Sequence, residues 1–298
     1  MQSLAVGSLR ARLLPLLAVM GGVASIQVGA AMAKTLFARL GAPGVSTLRL
    51  GFAALIITLV VRPWRRPVGR RDLGAMAGYG VSLGVMNLSF YLALARLPLG
   101  VAVGLEFLGP LALSLSGSRG VREISLALAA GVGALLMPDW KASAAGLSLT
   151  PETLIGAFFA ILSGACWAAY IVLGKLAGKA GSGVALSSGA LVAFAVAAPV
   201  GFISAGSALF SPDVLVLGAG VAILSSVAPY SLDMYALKHL DSRLFSLLTA
   251  LEPASAALAG YLLLGEKLSH AQIFAMGLIG LVSALALQGG GQGVIEPG

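Results

Sequence analysis

LALARLPLGVAVGLEFLGP, residues 92–110, lines up with YALKHLDSRLFSLLTALEP, residues 235–253, at one constant offset. Each stretch is mostly apolar, and each carries an acid close to a proline, as EFLGP and as EP. Within VAVGLEFLGPLAL (101–113) Glu106 is the only charge, and no basic residue in the stretch can partner it. The medium around such a carboxylate, and the reason for having two related copies of it, decide how the rest of the chain reads.

Composition answers the first question. The chain has 298 residues, 58% hydrophobic and 10% charged, with a mean hydropathy of +0.98. Soluble domains carry about 25% charged residues, so these charges cannot coat a soluble protein of this size. Its solvent is lipid. The net charge of +8 does not gather into a nucleic-acid patch, because the basic residues fall in short clusters between apolar runs, as topology signals do. Cys166 is the single cysteine, and His239 and His270 lie far apart. No disulfide framework, metal centre or cofactor site is expected from them. There is no GxxxxGK[ST] phosphate loop, so a built-in ATP motor is not expected, and no nucleophile–base pair suggests an enzyme.

A helix needs about 20 apolar residues to cross the hydrocarbon core. That rule predicts ten spans, near 13–33, 44–61, 73–95, 99–117, 122–138, 153–174, 183–204, 213–237, 242–264 and 270–288. The first run follows Arg10 and Arg12 and ends in AMA, but it is longer than a signal-peptide core and reads as a span. With the N-terminus inside, the cytoplasmic segments hold Arg10, Arg12, Arg62, Arg65, Arg66, Arg70, Arg71, Arg119, Arg122, Lys175, Lys179, Lys238 and Arg243, while the outer ones hold Lys34, Arg39, Arg96, Lys141 and Lys267. That bias puts both termini in the cytoplasm. The connection PDWKASAAGLSLTPE (138–152) follows span five. It separates a first unit (1–138) from a second (153–288), joined by 139–152 and followed by a tail (289–298). Five is odd, so the second copy enters the bilayer from the other side. The expected fold is an all-α polytopic membrane protein of ten transmembrane helices, built as a 5+5 inverted repeat, an architecture common among secondary transporters.

Polar groups inside spans carry the chemistry, since a charge at the bilayer centre costs about 2.5–3.5 kcal/mol on insertion scales. Glu106 and Glu252 stand out: Glu106 aligns with Thr249, one turn before Glu252, and both acids are placed near mid-span. Each can hold a cationic group or a proton in a cavity. Each can equally be a packing acid, neutralised by Arg49 or by its own proton. Arg49 in STLRL can bind a substrate carboxylate or pair with a protein acid. Asp233 lies toward the cytoplasmic end, within reach of Lys238, and with Tyr230 and Glu252 reads as a coupling or structural group. Gln27, Asn87, Tyr91, Trp167 and Tyr170 are further candidate ligands, because amides both donate and accept and aromatic faces hold cations. Packing between helices is the plain alternative for each. GYGVSLG (78–84) and GVAVG (100–104) place small residues four apart for close helix approach.

ASIQVGAAMAKTLFARLGAPGVSTLRL, PLGVAVGLEFLGPLAL, GACWAAYIVLGKLAG, VAILSSVAPYSLDMYAL and TALEPASAALAGYLLLGEKLS together resemble the EamA-type branch of the drug/metabolite transporter superfamily, in order and over nearly the whole chain. The resemblance implies a 5+5 bundle in the inner membrane that exports small amino acids of the threonine/homoserine kind by proton antiport. It implies cavity placement for Gln27, Asn87, Tyr91, Glu106 and Trp167. SRGVRE (118–123) stands where the second half has LLLGEKLS (262–269), so the repeat departs from symmetry there. Related members carry other metabolites or drugs, which keeps a broader exporter of lipophilic cations as the second reading. The expected partners are an amino acid, protons and the lipid bilayer, with no nucleic acid, and the chain is a monomer or a homodimer. A structural subunit of a larger complex is the reading from a different class.

Overall fold

The computed structural model describes residues 2–65, 69–117, 120–136, 150–237, 239–240, 245, 248–249, 251–267 and 270–289. Secondary structure among them is helical throughout. The elements are α1 (Gln2–Val61), α2 (Arg70–Leu94), α3 (Leu99–Glu106), α4 (Leu108–Gly117), α5 (Val121–Leu136), α6 (Pro151–Ala177), α7 (Ser182–Ala205), α8 (Pro212–Ala222), α9 (Ala228–Leu237), α10 (Glu252–Leu264) and α11 (His270–Gly289). A π-helical turn, Ile223–Val227, joins α8 to α9. Among the described residues five stretches are long and apolar enough to cross a membrane: Leu13–Arg65, Arg71–Leu94, Pro151–Ala177, Ser182–Phe210 and Pro212–Asp233. An apolar belt of side chains, among them Leu59, Val60, Phe158, Ile203 and Val216, faces outward. Lipid is the medium that suits them.

The expected loop between the first two spans is absent. Helix α1 runs through it, broken only at Gly41, whose φ of 66° is a left-handed conformation that glycine adopts without strain. The chain doubles back there. Before the break Arg39 meets Asp213 and Gly22 lies beside Asp233; after it Gly44 packs on Ala205 and Val61 on Gly183. The first limb (2–40) therefore lies along α8 and α9, and the second (42–61) along α7. Span four is also divided, at Phe107, and Glu252 is the first residue of α10, directly after a turn at Leu251. The segments 137–149 and 290–298, and most of the start of span nine, lie outside the described residues.

Packing runs mostly between segments distant in sequence. Helix α2 packs on α6 and α7, α5 on α11, and α3 on both α6 and α10; α1 packs on α7 through α10. Small residues permit the close crossings: Gly80 and Gly84 fit against Val192 and Ala193 of α7, and Gly100 against Ala257 of α10. A Cβ at Gly80 or Gly84 would press into α7, so these glycines set the spacing of the helices.

All three ion pairs among the described residues lie at the Gly41 end of the bundle. They are Lys34–Glu266 at 3.0 Å, Arg96–Glu152 at 3.3 Å, and Arg39–Asp213. Each joins a residue before the long central connection to one after it. Glu266 also accepts from the Leu99 backbone N–H, tying the start of α3 to the same point.

Candidate functional site

The placement of Glu106 follows from Pro110. Proline has no N–H to offer the carbonyl four residues earlier, so α3 ends at Glu106 and the chain restarts at Leu108 as α4. The Glu106 carbonyl lies against Gly164 of α6 instead, and the Gly164 carbonyl lies closer still to Gly109. A Cβ on either glycine would collide with that backbone, so the break crosses α6 almost backbone to backbone. The side chain of Glu106 is buried, at 8% exposure. Its Oε1 is 2.5 Å from Ser163 Oγ, which also lies 2.8 Å from the Met86 carbonyl of α2. Among the described residues Glu106 forms no ion pair.

Arg49 enters from the second limb of α1 and is likewise buried. Its Nη2 donates to the Ser225 carbonyl at 2.6 Å and its Nε to Ser226 Oγ at 3.0 Å; Nη1 reaches the Tyr91 hydroxyl at 3.5 Å, with the guanidinium 5.5 Å above that ring. A proline again explains the arrangement. Pro229 withholds the N–H that would meet the Ser225 carbonyl, the helix loosens into a π turn, and Arg49 takes that carbonyl. On the other side of the turn Ser25 Oγ donates to the Leu224 carbonyl at 2.6 Å. Arg49 has no carboxylate partner among the described residues, though it lies near enough to Glu106 to feel its charge.

Gln27 completes a layer. It is buried at 2% exposure, and neither its Nε2 nor its Oε1 has a hydrogen-bond partner. An unmade hydrogen bond on a buried polar group is unfavourable by about 1–3 kcal/mol. Its depth can be triangulated. Lys34 Nζ and the Leu99 N–H both bind Glu266; Gln27 lies seven residues before Lys34, and Glu106 seven after Leu99. At about 1.5 Å per residue both sit roughly 10 Å below that anchor. They share one level of the bundle.

The other candidates divide. Tyr91 is fully buried under Arg49, against Phe37 and Phe90. Asn87 donates to the Leu83 carbonyl at 2.8 Å, and Tyr230 lies within electrostatic reach of Arg49. Glu252 is buried within electrostatic reach of Glu106 and of Asp233, and Asp233 lies beside Gly22. Lys238, the expected partner of Asp233, lies outside the described residues. Tyr170 stacks on Tyr79, centroids 4.9 Å apart. Trp167 is not brought to the polar layer: its ring joins an apolar cluster with Phe107, Leu126, Leu278 and Val282. An apolar cleft of 360 Å³ opens between α3–α4 and α6, lined by Leu105, Leu108, Ile161 and Ala165 among others. The described residues hold no group of three or more metal-ligating side chains.

A carboxylate and an orphaned amide at one level, with a buried guanidinium within electrostatic reach of the carboxylate, suit a small molecule that carries both charges. Residues 154–288 match the EamA-like transporter family. The threonine/homoserine exporter RhtA of Escherichia coli (strain K12) is 42% identical over 266 residues, 89% of this chain and 88% of its own. The same exporter of Salmonella typhimurium (strain SL1344) is 41% identical over 263 residues, 88% of each chain. The chain belongs to the EamA-like transporter family. It is thus a multi-pass membrane transporter and not an enzyme. An uncharacterized transporter of Archaeoglobus fulgidus is similar at 28% identity, over 88% of this chain and 96% of its own. A solved crystal structure superposes with a TM-score of 0.65 at 19% identity, over 95% of this chain and 98% of that one, which speaks to the fold.

Three residues of this EamA-like transporter's polar layer escape a reading by charge: Ser163, Ser225 and Ser226. For Ser225 a signal was present, since Pro229 stands four residues later. Ser163, in LSGACW, carries no comparable mark.

Proposed function

We propose that this chain is a secondary active transporter of the inner membrane that exports small neutral amino acids, threonine or homoserine among them, from the cytoplasm in exchange for protons. The observation that carries this reading is the pair of buried, opposite charges, Glu106 and Arg49, which form no ion pair with each other or with any described residue. Two buried charges left without a partner of opposite sign are unfavourable, and a zwitterion satisfies both. Its ammonium meets Glu106, its carboxylate meets Arg49, and Gln27 and Asn87 bind its remaining polar atoms. Tyr91 holds the guanidinium in place. Glu252, Asp233 and Tyr230 line the way from this layer toward the cytoplasm. Threonine and homoserine are the substrates that the names of the two exporters specify for those proteins, and 41–42% identity supports carrying the class over.

The 5+5 inverted repeat is part of the same reading. Let the first limb of α1 correspond to α6, the second limb to α7, α2 to α8–α9, α3–α4 to α10 with the segment before it, and α5 to α11. Under that exchange α2 on α6 becomes α8–α9 on the first limb, and α4 on α6 becomes α10 on α1; α5 on α11 and the second limb on α7 map onto themselves. Every one of these pairs is present, as a twofold exchange of halves requires. Two such halves support alternating access by rocking. Basic residues Arg62, Arg65, Arg71, Lys175 and Lys179 gather at the end opposite Gly41, which supports that end, with both termini, as cytoplasmic. Exchange of a neutral zwitterion for one proton draws about 2.3 kcal/mol from each 100 mV of membrane potential.

The apolar cleft beside Leu105 and Ile161 favours a second reading, a lipophilic cation that enters from the bilayer toward Glu106. One experiment separates the two. Purified protein in liposomes is loaded with unlabelled threonine and exposed to labelled threonine, homoserine or a quaternary amine. Uptake of the amino acids alone supports the first reading. Uptake of the quaternary amine alone overturns it.

A further inference from the structure

The Ser163 hydroxyl has one proton and two acceptors within reach. Its Oγ is 2.5 Å from Glu106 Oε1 on α3 and 2.8 Å from the Met86 carbonyl on α2. A hydroxyl donates once and accepts twice. When Glu106 is ionised, both neighbours can only accept, and Ser163 can serve one of them. When Glu106 carries a proton, its O–H donates to Ser163 Oγ while the Ser163 O–H donates to Met86. Both close contacts are then hydrogen bonds. The observed geometry fits that second count.

We infer that Ser163 is a positioning residue that couples the charge state of Glu106 to the tie between α6 and α2. With Glu106 protonated, the hydroxyl holds the Met86 carbonyl and the helices are linked at the level of the polar layer. When the proton leaves Glu106 for the aqueous side and the substrate ammonium takes its place, the hydroxyl turns to the carboxylate and the link to α2 opens. Only the O–H bond of Glu106 is broken, and Ser163 keeps its own proton throughout. The link has a continuation on the same helix: Tyr91, five residues after Met86, meets Arg49 through its hydroxyl. The site for the ammonium and the site for the carboxylate are thereby joined through α2.

The groups facing Glu106 leave Ser163 as its hydrogen-bonding neighbour. The second limb of α1 offers Arg49 and α10 offers Glu252, with Asp233 behind it, all at electrostatic range. Helix α2 offers the phenol of Tyr91, which faces Arg49. On α5 the described charged side chain is Arg122, which donates to the Leu285 carbonyl.

This inference rests on the reading of Glu106 as the acid that exchanges a proton for the substrate. The test uses the full chain in liposomes and measures threonine exchange at pH values about one unit apart, where one titrating group changes the rate by up to about tenfold. For Ser163→Ala the expected result is a KM within about twofold of the wild type, with the ratio between the two pH values collapsing toward one. Ser163→Thr restores the ratio. An unchanged ratio in Ser163→Ala overturns the inference, however far the rate falls. A wild type that exchanges no amino acid removes the functional reading itself, and the inference with it. A second measurement needs no transport and uses Ser163→Cys, a near-isosteric weak donor. The infrared band of the protonated carboxyl, assigned by its loss in Glu106→Gln, is expected to shift in the cysteine variant. A band that stays in place contradicts the inference.

Discussion

Charges at the Gly41 end of the bundle and charges in its middle are treated in opposite ways. At the end, Lys34, Arg39 and Arg96 each meet a carboxylate from the other half of the chain, in pairs that are partly open to solvent. In the middle, Arg49 and Glu106 are buried and each is given neutral partners: serines, a tyrosine and a backbone carbonyl. Pairing is easy where water already screens the charges, and it adds little. It is withheld where burial makes it most valuable. A protein that needed these groups only for packing would have joined them to each other; one that must bind and release a charged solute keeps them apart.

The predictions test that contrast, and the largest effect belongs to Glu106. Removing its charge in Glu106→Gln takes away a charge-assisted contact of about 1.5–3 kcal/mol, so threonine exchange in liposomes should fall by about ten- to a hundredfold. Wild-type rates in that variant would make the acid a packing residue. Next comes Gly164→Ala. Its Cβ would press on the Glu106 carbonyl, and overpacking of this kind is unfavourable by about 1–3 kcal/mol, read as a lower melting temperature in detergent. Arg49→Lys keeps the charge but loses the planar fork that holds Ser225 and Ser226 together; KM should rise by about tenfold with little change in melting temperature. Gln27→Leu sharpens the comparison by its sign. Burying an apolar group in place of unpaired amide atoms should leave stability equal or higher, while transport weakens a few-fold. The smallest effect is expected at the end: Lys34→Gln breaks a half-exposed pair, worth under about 1 kcal/mol.

Most of this architecture could be read from the residues, and where it could not the reason is physical. Apolar runs of spanning length pointed to an all-helical membrane protein, because lipid requires backbone groups to be satisfied within each segment. The turn at ARLGAPG did not reveal itself as a helix break, since one glycine with a left-handed φ reverses the chain without a loop. Prolines located the site better than charges did. Pro110 fixes the end of α3 at Glu106, and Pro229 opens the π turn that receives Arg49. Glu252 and Trp167 show the limit of such reasoning. The proline after Glu252 stands in the first turn of α10, a position that the sequence did not specify, and periodicity alone does not tell whether an indole on α6 faces the polar layer or the apolar cluster around Phe107. Ser163 was silent because a serine in an apolar helix means nothing until a glutamate from another helix stands 2.5 Å away.

The central claim is that Glu106 recognises the ammonium of a zwitterion. Its most direct test compares threonine with the matching hydroxy acid, which lacks that ammonium, as competitors of labelled-threonine exchange in wild type and in Glu106→Gln. The account predicts that the wild type prefers threonine by tenfold or more, about 1.4 kcal/mol, and that the preference vanishes in the variant. A preference of the same size in both proteins would contradict it.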